Sequence, residues 1–345
     1  MVSRKKKPRI PRRSKQKSAF PLPFHITSYV SAPVEVKHFM FGFDRSNLMF
    51  LENLKLALSR FEEITISFRH TRELEATALL VIYSIVDTLG KDKKINVVLS
   101  EISESVNSGI ETSGSFKSPE HRLGLLDDRM LPVIQGNNAI VNKLSRQIIN
   151  TLVHLYLDEE KSDFSNRKAE IGIAIMETLD NVGRHAYPEK EQHNEKLWWF
   201  CCDIIDDTLF MAIYDQGVGI PHSIKNSQIE FTRLIDNYFA VTGKDINKLP
   251  AEAEALTEDY KKTFSDEILI AAAMSEELSK TTKEKHGKGS GSIKALIKED
   301  ERSFLVICSQ KGMYYYSKSN DENQDDETVK PLEHSIQGTL IQWSL

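Results

Sequence analysis

One row of side chains in this chain asks for a chemical explanation. Glu177, Asn181 and His185 recur every fourth residue along a segment near 168–186, where Ile171, Ile175, Leu179 and Val182 make an apolar stripe. That spacing places the three polar groups in one line along a helix. Burying them without partners would cost on the order of 1–3 kcal/mol each, so the row is either a solvated face or a ligand site. The chemistry suits a ligand site. An asparagine amide oxygen is a hard donor for Mg²⁺, a cation that takes few protein ligands and completes its shell with water and phosphate oxygens. A glutamate one turn away is placed to orient or deprotonate a water.

Three further motifs follow in order. Leu197–Ile205 and Leu209–Tyr214 read as a hairpin turning at Asp206-Asp207, and the second strand runs into Asp215-Gln216-Gly217-Val218-Gly219. A carboxylate at a strand end can accept from an exocyclic amine, and the glycines let a ligand approach the backbone. His286-Gly287-Lys288-Gly289-Ser290-Gly291-Ser292 stands before an apolar-periodic stretch with Ile293, Leu296 and Ile297. Alternating glycines that open a helix turn N–H groups toward an anion. A flexible Gly/Ser linker has the same composition, and the Walker pattern GxxxxGK[ST] is absent. Gly338-Thr339 begins a last strand to Leu345.

Taken together and in this order, the motifs resemble those of the GHKL (histidine kinase-like, Bergerat fold) ATPases over residues 138–345. The resemblance implies a two-layer α/β sandwich that binds ATP and Mg²⁺. It implies that Asn181 holds the magnesium, that Glu177 is the general base in hydrolysing members, and that Asp215 reads the adenine amine. Gly217 and Gly219, the glycine box (His286, Gly287, Lys288, Gly289, Ser290 and Gly291) and Thr339 complete the nucleotide contacts, and residues 222–286 form the lid. Within that lid, Phe264–Leu278 has helical spacing, and Thr281, Thr282 and Lys283 stand where lid closure would bring them to phosphates. Ser292 departs from the family pattern, which has a bulky apolar residue there.

These motifs need elements to hold them. Ser165 or Asn166 can cap the helix of the polar row, and Asn138–Leu157 reads as a helix before it. His154 on that helix, flanked by Val153 and Leu155, reads as a core or interface residue and not as a phosphorylated histidine. Phe304–Cys308 and Met313–Ser317 read as two strands, and Asp321–Glu327 as an acidic loop.

The N-terminal part has α/β texture. Val34–Phe43, Glu63–Arg69 and Lys94–Ser100 read as strands, with Ile64, Ile66 and Phe68 on one face, and Leu48–Phe61, Ala76–Leu89 and Glu101–Ile110 as helices. Strand, helix, strand with short links implies parallel pairing and a right-handed crossover. Residues 34–112 resemble a STAS-like domain, in which Thr77 could stand in for the phosphoacceptor serine; a helix-start residue is the alternative. Residues 113–137 read as a linker.

The composition belongs to an ordinary globular chain: 345 residues, 40% hydrophobic and 28% charged. No apolar run reaches the length that spans a bilayer, no secretory signal precedes the body, and three cysteines without a CxxC pair suggest reduced thiols in the cytoplasm. Residues 1–33 read as a disordered arm. Nine basic residues and no acid fall within 1–17; the formal net charge is −5, so the remainder carries −14 once those nine are set aside. Such an arm (basic residues 4–17) contacts nucleic acid, serves as an import signal or solubilises the chain, and composition does not separate these roles. The expected function is a Mg²⁺-dependent ATPase whose lid closure switches contact with a protein partner, a second copy or its own N-terminal domain. The alternatives are an anti-sigma-like serine/threonine kinase and a non-hydrolysing nucleotide sensor.

Overall fold

The computed structural model describes residues 27–37, 45–126, 130–157, 164–205, 208–227, 231–235, 238, 261, 263–275, 289–297, 302–318 and 326–345. Its architecture is mixed α/β, as the sequence predicts. In the N-terminal part, β1 (Tyr29–Ser31), β3 (Glu63–Ser67) and β5 (Lys94–Val98) form a parallel sheet in the order β1-β3-β5. The crossovers are α1 (Arg45–Arg60) and α2 (Ala76–Leu89). A two-residue ladder joins β2 (Glu35–Val36) to β4 (Glu73–Leu74). The expected strand at Val34–Phe43 is therefore displaced. The sheet takes Tyr29–Ser31 instead, Glu35–Val36 turns aside to β4, and 38–43 lie outside the described residues. After β5, α3 (Glu104–Thr112) starts on Ser103, whose hydroxyl accepts from the Val106 N–H.

The second sheet has five antiparallel strands in the order β6-β7-β8-β10-β9. They are β6 (Ile134–Asn137), β7 (Leu197–Ile205), β8 (Thr208–Asp215), β9 (Phe304–Ser317) and β10 (Asp326–Ser344). The linker reading of 113–137 is corrected here: it contains α4 (Pro119–Gly124) and β6, an edge strand of this sheet. β9 is one strand where two were expected. It bends at Gln310 (φ 52°) and continues, its partner β10 shifting register at the same level. Asp326 and Glu327, read as loop, begin β10.

Helices cover one face of this sheet. α5 (Val141–Tyr156) and α6 (Phe164–Asn181) turn Leu144, Ile148, Leu152, Ile171, Ile175 and Leu179 into a shared core with Trp198, Met211, Ile307 and Trp343. Ser165 and Asn166 lie inside the first turn of α6 and do not precede it. His154, expected in a core or interface, is exposed beside exposed Leu155. The expected lid is in part core: α7 (Ile220–Asn226), Phe231, Ile235 and the helix Asp266–Met274 pack into the same cluster.

The opposite face of the sheet is covered by the N-terminal part itself. Trp199, Cys201, Ala212, Tyr214, Val306, Cys308 and Leu340 share one buried cluster with α2. Every residue of α2 from Thr77 to Asp87 is buried. That explains why the helix is largely apolar, with its few polar side chains buried or hydrogen-bonded: it lies between two sheets, and each large aliphatic side chain contributes roughly 1.5–3 kcal/mol by leaving water. Thr77, considered as a phosphoacceptor, is 4% exposed within this layer, where a kinase has no access. An ion pair pins the layer. The Arg122 guanidinium donates to Asp87 of α2 at 2.5 and 3.1 Å and to the Val133 carbonyl at 2.7 Å, and Trp199 of β7 donates to the same carboxylate at 2.9 Å.

Candidate functional site

The polar row of α6 ends in a π-helical turn, Val182–Ala186. Wider turns of this kind re-aim the groups that follow them. Here the turn brings the Ala186 carbonyl to the Val218 N–H (2.7 Å), and a Cβ at Gly217 would overlap that carbonyl. The next residue locks the same junction: the Tyr187 hydroxyl donates to the Leu197 carbonyl (2.7 Å) and accepts from the Gln216 N–H (3.0 Å). Two motifs thirty residues apart in the chain are thus bound to each other.

The last strand completes the arrangement. Thr339 lies opposite Asp215 in the β8–β10 register. Gly338 has φ 76°, and a side chain there would strike the Asp215 carbonyl, so glycine at this position is a steric requirement. The Asp215 carboxylate accepts from the Gly217 N–H at 2.7 Å and from the Thr339 N–H. Burial nevertheless pushes its pKa up to about 7, the two N–H groups only partly opposing. Ser309, fully buried, ties three segments: it donates to the Gly338 carbonyl (2.9 Å), accepts from the Ile220 N–H (2.9 Å) and meets the Thr339 hydroxyl at 3.1 Å. A serine hydroxyl has one proton, and the Gly338 carbonyl takes it. The Thr339 hydroxyl is therefore the donor to Ser309 and keeps its remaining lone pairs for the space in front of it.

That space is a cavity of about 350 Å³ between α6, α7, the helix Asp266–Met274 and the sheet, within the size range of small-molecule sites. Ile213, Ile220, Ile224, Leu234, Met274 and Ile341 give it apolar walls. Glu177, Asn181, Asp215, Gly219 and Thr339 all line it, as do Thr178, Arg184 and His185. The polar groups are graded by depth: Asp215 and Thr178 are 4% and 2% exposed, Glu177 and Asn181 half-buried, Arg184 and His185 exposed. Arg184 also pairs with Asp180 on α6.

The expected glycine box is described only in part. His286, Gly287 and Lys288 lie outside the described residues, as do Thr281, Thr282 and Lys283. Gly289 and Gly291, expected before a helix, are inside one (Gly289–Lys294), with the Ala295 N–H closing on the Gly291 carbonyl at 2.7 Å. From this segment Ile293 reaches the cavity wall. No group of three or more His, Cys, Asp or Glu side chains forms a metal cage among the described residues. The donor set at the half-buried level, one amide and one carboxylate, fits a cation bound chiefly by phosphate and water.

Gln216 leaves the site on its far side. Its amide donates to the Ser84 hydroxyl of α2 (3.0 Å) and accepts from the Thr88 hydroxyl (3.2 Å), while its backbone carbonyl accepts from Gln337 (3.1 Å). The strand end that places Asp215 in the cavity therefore also grips the N-terminal layer. Sequence reasoning missed Thr178, Ser309 and Gln216. The hydroxyls carry no spacing signal, and Gln216 occupies the variable position of its motif. No protein-family model, curated protein or solved structure matches this chain.

Proposed function

We propose that the cavity binds ATP, base inward on Asp215 and phosphates outward with Mg²⁺ near Asn181, and that the chain is a GHKL-type ATPase whose nucleotide cycle acts on its N-terminal layer. The carrying observation is the depth grading of the cavity's polar groups. A nearly buried carboxylate and a hydroxyl acceptor stand at the inner end, suited to an amine on a flat apolar ring. Half-buried Asn181 and Glu177 and exposed Arg184 and His185 stand outward, suited to a charged, hydrated tail. At that level Glu177 would take a proton from the water that attacks the terminal phosphate, and Asn181 would hold the cation that neutralises the leaving diphosphate. The Gln216 bridge to α2 favours an internal switch as the output. The kinase alternative loses its internal acceptor, because Thr77 is buried.

Phosphate release from Mg-ATP, measured beside nucleotide binding on wild type and Glu177→Ala, tests the proposal. Turnover is expected in wild type. Glu177→Ala is expected to lose it by about 10²-fold or more while holding ATP with near-normal affinity. Absence of ATP binding in wild type rejects the proposal; binding without turnover transfers the argument to a sensor.

A further inference from the structure

The π turn at the end of α6 is held from outside the helix. Where an α-helix widens into a π turn its hydrogen-bond ladder skips, and carbonyls at the junction take partners from elsewhere. Here three partners come from three segments. The side-chain amide of Asn138, in the turn between β6 and α5, donates to the Leu179 carbonyl at 2.9 Å. The Lys196 ammonium, just before β7, donates to the Gly183 carbonyl at 2.6 Å. The Val218 N–H donates to the Ala186 carbonyl at 2.7 Å.

Asn138 is the donor closest to the cavity's polar row. Its own backbone is fixed, the N–H donating to the His193 carbonyl at 3.1 Å. Its amide also packs against Gly183 so tightly that a Cβ there would stand 2.3 Å from Nδ2. Asn138 thus touches the chain at Leu179 and at Gly183, and Asn181 lies midway between them. Asn181 lines the cavity, and so do Arg184 and His185 of the turn. Magnesium demands near-ideal octahedral geometry from its ligands. A ligand side chain meets that demand only when its backbone is held in place.

We infer that Asn138 is a positioning residue of the cavity: by fixing the backbone on both sides of Asn181 it sets where the Asn181 amide oxygen stands, and with it the affinity that Mg²⁺ adds to nucleotide binding. This inference rests on the ATP reading above.

The experiment measures ATP dissociation constants in saturating Mg²⁺ and in EDTA for wild type, Asn138→Ala, Gly183→Ala, the double variant and Asn181→Ala. The ratio of the two constants is the gain that Mg²⁺ supplies. Asn138→Ala should cut that gain about 10-fold or more, the usual effect of removing a group that supports a metal ligand. Its affinity in EDTA should stay within about threefold of wild type, which separates a displaced Asn181 from a lost fold. Gly183→Ala pushes the Asn138 amide off Leu179 and should act like Asn138→Ala. The double variant, in which that clash is gone, should be no worse than Asn138→Ala alone. In nucleotide-free protein Asn138→Ala should speed amide-hydrogen exchange in the π turn and leave β8 unchanged. An undiminished gain in Asn138→Ala, beside a lost one in Asn181→Ala, overturns the inference and leaves the ATP site standing. Equal weakening in Mg²⁺ and EDTA, additive losses in the double variant, or unchanged exchange in the turn overturn it too, as does a wild type that gains nothing from Mg²⁺. Failure of wild type to bind ATP under either condition removes both readings.

Discussion

Asp215 occupies a position where a carboxylate is costly. It is 4% exposed, two backbone N–H groups serve it, and burial still raises its pKa to about 7 from the ordinary aspartate value of 3.8. The folded protein binds this proton more tightly than the unfolded chain does, so protonation favours folding. The penalty is absent below about pH 4, grows between the two pKa values and is full above about pH 7, on the order of 4 kcal/mol at most. Asp215→Asn is therefore expected to melt higher than wild type at pH 8, with the difference vanishing by pH 4, as thermal scans across that range would read. The same substitution should weaken ATP binding. In wild type, ATP affinity should fall as pH drops below about 7, because the amine needs the ionised acceptor. A stability gain paired with a binding loss is the mark of a group retained for its ligand. A mutant less stable than wild type at pH 8 would show that the carboxylate is better solvated than its burial implies.

At the scale of elements, the junction between β8 and α7 holds the cavity on one side and the N-terminal layer on the other. Gln216 spans it, between Asp215 in the cavity and Ser84 and Thr88 on α2. Gln216→Ala should leave ATP affinity within about threefold of wild type, since the side chain points away from the site. It should abolish any ATP-dependent change in amide-hydrogen exchange along α2. A persistent change in the mutant would place the coupling elsewhere. Much at this scale was legible. The apolar stripe of α6, the β7–β8 hairpin and the extent of α2 follow from periods of 3.6 and 2 and from turn residues. What was not legible has physical causes. β6 is four residues, Ile-Gln-Gly-Asn, too short to show alternation, and it exists as a strand only because β7 pairs with it. Gln310-Lys311-Gly312 reads as a turn, yet the β10 ladder carries the strand through it. The first half of β10 is largely exposed, so nothing in its hydropathy separates it from a loop. At the site, Asp215 and Asn181 were legible because their motifs are spaced. Thr178 was not, because only a folded cavity distinguishes a lining hydroxyl from a helix filler.

Over the whole molecule, the two sheets do not behave as beads on a string. Trp199, Tyr214 and Leu340 of the five-stranded sheet and Leu80, Ile82 and Val86 of α2 belong to one buried cluster, fastened by the Asp87–Arg122–Trp199 group. Removing one member of a buried ion pair strands the other charge and costs about 3–5 kcal/mol. Arg122→Ala should lower stability by that amount, and denaturant unfolding of the mutant and of wild type should each show one transition reported equally by signals from both sheets. Two separated transitions would contradict a shared core. A fragment of residues 138–345 should likewise fail as an independent domain. It lacks β6 and uncovers the apolar face that α2 protects, so it should bind hydrophobic dyes and aggregate, whereas the full chain should not.

The sandwiched position of α2 also has a consequence in time. On the ribosome α2 is complete at Leu89, but the strand that covers its second face starts at Leu197. At about 5–20 residues per second, the interval between them is roughly 5–20 s. Throughout it, a largely apolar helix is covered on one flank only. The nascent chain is thus a natural client for a holdase at this stage, and slow codons between α2 and β7 would lengthen its exposure.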